Sequence, residues 1–142
     1  MNRPVPLFGM ATILLVEDED FVREVTSQVL RGAGYVVLRA RNADEAVAAF
    51  HTHAERIGLL LTDVIMPGKR GTELAAELKA LCPTMKTMLM SGYPDVPAGE
   101  VPPGMYYLPK PFSAGMLISK IREVLCQDGD RAEDVSCAAG SL

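Results

Sequence analysis

Leu59-Leu60-Leu61-Thr62-Asp63-Val64-Ile65-Met66-Pro67-Gly68 decides how this chain is read. The leucine run suits a strand buried on both faces, as in a parallel sheet covered by helices. It ends on a carboxylate, and Pro67-Gly68 then closes the strand and turns the chain. Open α/β sheets place their ligands at the C-terminal ends of strands. Asp63 is therefore a candidate reactive carboxylate.

Working outward, residues 12–16 form a second buried strand that also ends in acids, Glu17, Asp18, Glu19 and Asp20. Residues 20–31 read as a helix with Val22, Val25 and Val29 on one face, stopped by Gly32 and Gly34. A short strand over 35–38 follows. Asn42, with Glu45 three residues on, has the pattern of an N-cap and capping box for a helix running to about His51. Beyond the quoted stretch, 72–81 is a helix carrying Leu74, Leu78 and Leu81, ended by Pro83. Residues 86–90 are a fourth strand leading into Ser91-Gly92-Tyr93, and 105–108 a fifth leading into Pro109-Lys110-Pro111. Ser113 caps a last helix whose apolar stripe is Ala114, Leu117, Ile118, Ile121, Val124 and Leu125. Strands alternating with helices imply a doubly wound α/β fold. The expected sheet is five-stranded, parallel and flavodoxin-like, in the order 2-1-3-4-5.

Composition narrows the function classes. At 142 residues and 49% hydrophobic, the chain supports one domain with a full core. Residues 11–126 are taken as that domain, 1–10 as a flexible arm or linker, and 127–142 as a disordered tail. No stretch reaches the roughly 18 apolar residues of a membrane span. A net charge of −4 without a basic cluster argues against a nucleic-acid surface. Cys82, Cys126 and Cys137 lack metal-ligand spacing and read as free thiols of a cytoplasmic protein. His51 and His53 read as solvated, and no nucleotide fingerprint is present.

In the order 2-1-3-4-5, the polar strand ends of strands 1, 3, 4 and 5 become neighbours: Glu17 and Asp18, then Asp63, Ser91 and Lys110. Taken singly, each would pass for a cap or turn residue. Two carboxylates about 4 Å apart repel by about 4 kcal/mol at an effective dielectric near 20. Three on one rim hold protons or recruit a cation. Oxygen ligands without His or Cys favour Mg²⁺. A cation, a lysine and a hydroxyl around one carboxylate suit phosphoryl transfer, with Asp63 attacking and an aspartyl phosphate as product.

Val16-Glu17-Asp18, Leu61 to Gly68, Met90-Ser91-Gly92-Tyr93 and Leu108-Pro109-Lys110-Pro111-Phe112 together resemble the receiver domain of two-component response regulators. The likeness covers residues 11–126, and the Met-Ser-Gly-Tyr wording is most similar to receivers attached to hybrid sensor histidine kinases. It implies Asp63 as phosphoacceptor. It further implies Mg²⁺ on Asp18, Asp63 and the Ile65 backbone carbonyl, with Glu17 acting through water. Ser91 would be the switch hydroxyl, Lys110 the phosphoryl clamp and Tyr107 the aromatic that moves with the switch. The implied donor is a phosphohistidine on a sensor histidine kinase or a histidine phosphotransfer protein.

Three features qualify that picture. Glu17 stands where Asp is more usual in the family. The interval from Ser91 to Lys110 is short and holds Pro94, Pro97, Gly99, Pro102, Pro103 and Gly104, so the family's fourth helix is expected to be shortened or missing. That puts conventional homodimerisation in doubt. Ile65 and Tyr93, each two residues beyond a site residue, are expected to shield an acyl phosphate from water. Two other readings stay open: a scaffold that is never phosphorylated, and an enzyme turning over an aspartyl phosphate. The enzyme usually needs a second acid where Ile65 stands. The chain is read as a regulated binding module, either free-standing or part of a hybrid kinase.

Overall fold

Strand β1 (Thr12–Val16) is buried at every residue, and β3 (Ile57–Asp63) at all but Gly58. Both apolar runs therefore lie in the middle of a sheet. The computed structural model describes residues 11–92 and 101–126, leaving aside the side chain of Glu55. The remaining elements are α1 (Asp20–Gly32), β2 (Val36–Ala40), α2 (Ala43–His53), α3 (Gly71–Leu81), β4 (Lys86–Ser91), β5 (Tyr106–Pro109) and α4 (Ala114–Cys126). A 3₁₀ turn, Ala54–Arg56, joins α2 to β3. The five strands are parallel in the order β2-β1-β3-β4-β5, as expected.

Strand alternation divides the core into two layers. Leu14, Leu60 and Leu89 pack with α2 and α3, around Phe50, Leu74 and Leu78. Ile13, Leu15, Leu59, Leu61 and Met88 face the opposite way, toward Leu30 of α1 and Leu117, Ile121 and Val124 of α4. The N-cap reading of α2 holds, since Asn42 Oδ1 accepts from Glu45 N at 2.8 Å, but Glu45 Oε1 accepts from Arg41 N at 2.8 Å rather than from the Asn42 N of a capping box.

Two expectations are corrected. The valine stripe does not define the buried face of α1. Thr26, Ser27 and Leu30 are buried there, while Val25 is 42% and Phe21 79% exposed. Small hydroxyl side chains fit close against neighbouring elements, which a search for apolar periodicity overlooks. The cysteines are not all free, since Cys82 is disulfide-bonded while Cys126 is free and exposed. Spacing alone does not reveal pairing.

Four α-helices are present among the described residues. The helix expected to be shortened or missing between β4 and β5 falls on 93–100, which lie outside the described residues, as do the arm 1–10 and the tail 127–142. Residues 101–105 form a turn in which Met105 N donates to Pro102 O at 3.1 Å. No helix among the described residues is long and apolar enough to cross a membrane.

Candidate functional site

The site is built at the C-terminal ends of the central strands. Register pairs Val16 of β1 with Thr62 of β3, so Glu17 and Asp63 follow directly on neighbouring strands. Asp63 pairs with Met90 and Ser91 with Pro109, which sets Ser91 and Lys110 one step further along the sheet. The sheet thus collects residues from four separate stretches. One carboxylate oxygen each from Glu17, Asp18 and Asp63 lies within 4.8 Å of the others.

Lys110 reaches into this cluster. Its ammonium lies 2.7 Å from Asp63 Oδ1 and 3.1 Å from Glu17 Oε1. Glu17 Oε2 also accepts from Glu19 N at 3.2 Å. Glu17 and Asp63 are both buried, while the Lys110 side chain keeps 27% of its surface. Burial, reinforced by the neighbouring Glu17 carboxylate, pushes the Asp63 carboxyl up to about 8, against the opposing pull of Lys110. Desolvation works to lower the Lys110 ammonium, but Asp63 and Glu17 outweigh it and hold the group above its ordinary value. One lysine against two buried acids leaves the cluster short of positive charge.

The turn after Asp63 is closed tightly. Gly71, the first residue of α3, donates its N–H to the Val64 carbonyl at 2.8 Å. A Cβ at Gly71 would stand 1.7 Å from the Asp63 carbonyl oxygen. Only glycine lets α3 begin against the backbone of Asp63. Ile65, two residues beyond Asp63, is 48% exposed. An open cleft of about 620 Å³ beside Asp18 is lined by Arg41, Asn42, Asp44 and Lys69 among others. His51 is exposed and packs edge-on against Phe50, away from these acids in sequence and layer.

Ser91 is buried, and its backbone carbonyl accepts from Lys110 N at 2.8 Å and Tyr107 Oη at 3.2 Å. Tyr107 is turned inward, packed with the α2–α3 layer. Tyr93 lies outside the described residues. Glu17, Asp18, Asp63, Ile65, Ser91 and Lys110 lie at these strand ends and in their following loops, whereas Tyr107 lies within β5, paired with Leu89 and packed into the core layer below the rim.

Two residues went unnoticed in the sequence. Gly71 looks there like an ordinary turn glycine. Arg23, inside α1, donates to the Glu17 carbonyl. Its only sequence signal is a cation just under one helical turn beyond the acidic run.

A family model for the response regulator receiver domain matches residues 13–122, and the chain belongs to that family. It is 35% identical over 128 residues to sensor kinase CckA of Brucella abortus (strain 2308), covering 88% of this chain and 14% of the kinase. It is 34% identical over 119 residues to the response regulator receiver protein CpdR of the same organism, covering 82% of this chain and 98% of that protein. The crystal structure of the receiver domain from hybrid histidine kinase CckA superposes with a TM-score of 0.72 at 37% identity. That match covers 81% of this chain and 99% of that one. The chain thus spans a small part of one relative and nearly all of another.

Proposed function

We propose that this receiver domain takes a phosphoryl group from a phosphohistidine onto Asp63 and changes its partner-binding surface in response. The observation that carries the reading is the placing of the Lys110 ammonium 2.7 Å from Asp63 Oδ1, beside two further carboxylates. In the transfer, an Asp63 carboxylate oxygen forms the new bond to phosphorus. The phosphorus–nitrogen bond breaks and the imidazole of the donor keeps the electron pair. Lys110 neutralises charge on the phosphoryl oxygens, and the Ser91 hydroxyl moves to bond one of them.

The all-oxygen donor set fits Mg²⁺, and the cluster's shortage of positive charge favours a divalent cation. Asp18, Asp63 and the Ile65 carbonyl would hold it, with Glu17 acting through water. Bound there, it would supply charge neutralisation for the phosphoryl group. Ile65 shields the product from water on its side of the site. The donor is a sensor histidine kinase or a histidine phosphotransfer protein, which places the chain in the cytoplasm. The result is a regulated module rather than an enzyme with turnover, acting on a protein partner, without nucleic-acid contact or membrane insertion.

Incubation with Mg²⁺ and a small acyl phosphate tests this. The expected result is a phosphate-sized mass gain that Asp63→Ala abolishes. No gain from either the acyl phosphate or a kinase would reject the reading in favour of a scaffold.

A further inference from the structure

Arg23 extends its guanidinium from α1 back toward the acid-bearing turn. Nη1 donates to the Glu17 carbonyl oxygen at 2.9 Å, and Nη2 to Asp20 Oδ1 at 2.6 Å. The Arg23 side chain is 15% exposed, against 84% for Asp20. An ordinary surface pair at this helical spacing leaves both partners in water. Here the cation is withdrawn from solvent and aimed at a backbone oxygen.

That oxygen sits one residue beyond the last registered pairs of β1, Val16 with Ala40 and Val16 with Thr62. On the other side of the same residue, Glu17 N donates to Ala40 O at 3.0 Å. Glu17 is therefore held at its amide by β2, at its carboxylate by Lys110 and Glu19 N, and at its carbonyl by α1. The Glu17 carbonyl belongs to the planar peptide that continues into Asp18, so fixing its direction fixes the direction in which Asp18 leaves the strand.

We propose that Arg23 is a positioning residue that orients Asp18 within the cation-binding set, acting through the Glu17–Asp18 peptide. The inference rests on reading Glu17, Asp18 and Asp63 as a Mg²⁺ site. Its sign separates it from simple electrostatics. Removing a nearby positive charge strengthens cation binding, whereas losing the orientation of a ligand weakens it. Groups that orient metal ligands typically account for 10- to 100-fold in affinity.

The test titrates the full chain with Mg²⁺ alone, comparing wild type, Arg23→Met and Asp20→Ala well below their unfolding temperatures. Amide resonances of Asp18 and Glu19 are recorded first without metal. Arg23→Met is expected to bind Mg²⁺ about tenfold more weakly and to shift both metal-free resonances. Asp20→Ala removes the ion pair but not the carbonyl contact, and is expected to stay within about twofold of wild type. Unchanged or tighter binding by Arg23→Met overturns the proposal, as does an equal loss in Asp20→Ala. If wild type binds no Mg²⁺, the metal-site reading falls, and the metal-free resonances still decide Arg23. Unmoved resonances in Arg23→Met overturn its positioning role.

Discussion

The Lys110 ammonium lies between Asp63 and Glu17, 2.7 Å from one carboxylate and 3.1 Å from the other. A single cation thus holds two buried acids from different strands. Replacing it by methionine keeps much of the aliphatic stem and strips both acids of their counter-charge. Lys110→Met is expected to lose about 2 kcal/mol at pH 8, below the usual range for a fully buried pair because Lys110 is partly hydrated. The loss should be smaller at pH 5, where Asp63 carries a proton. Urea unfolding at the two pH values checks both magnitude and order.

The raised Asp63 carboxyl makes stability depend on pH. The folded metal-free protein keeps this proton up to about 8, whereas the ordinary value of an aspartate is 3.8. Between those values the folded state binds the extra proton, so this contribution is full below the lower one and is lost as pH rises toward 8. The urea midpoint of wild type is expected to fall from pH 5 to pH 8 relative to Asp63→Asn, which lacks the titrating group. Parallel profiles for the two proteins would contradict the assignment. Added Mg²⁺ is expected to flatten the difference by favouring the charged carboxylate.

Gly71 and Gly32 offer opposite outcomes for the same substitution. A Cβ at Gly71 would run into the Asp63 carbonyl at 1.7 Å, whereas nothing lies within 4 Å of one at Gly32. Gly71→Ala is expected to destabilise by about 3 kcal/mol or more. Gly32→Ala, at the end of α1, is expected to stabilise by about 0.5 kcal/mol. Thermal or chemical denaturation of the pair measures both.

Ile65, two residues beyond Asp63, is half exposed. Ile65→Ser should admit water to the acyl phosphate and shorten the life of phospho-Asp63 several-fold. The decay of the phosphorylated mass after removal of the donor measures this, and an unchanged rate would reject shielding at this position.

Most of the architecture was legible because each strand is a short apolar run closed by turn residues. Leu59 to Leu61 and Ile13 to Val16 needed no tertiary information to be read as buried. The site acids were legible for a related reason: they sit directly after those runs, and strand order makes them neighbours. The facing of α1 was not legible. Its buried positions are filled by Thr26 and Ser27, and apolar Phe21 and Val25 face out. Arg23 and Gly71 were hidden more deeply. Each matters through a backbone carbonyl, Glu17 or Asp63, and main-chain oxygens carry no mark in a sequence.

Tyr107 bonds to Ser91 through the carbonyl, which every residue type at position 91 would present. Under the proposed phosphoryl transfer, exchange of the serine for threonine or alanine would therefore alter what the phosphoryl group meets without editing the anchor of the tyrosine. If Ser91 and Tyr107 form the switch pair that the receiver resemblance implies, information from hydroxyl to aromatic ring has to travel as a displacement of the β4 terminus itself. Chemistry at the input and mechanics at the output would then be, at this residue, separately mutable.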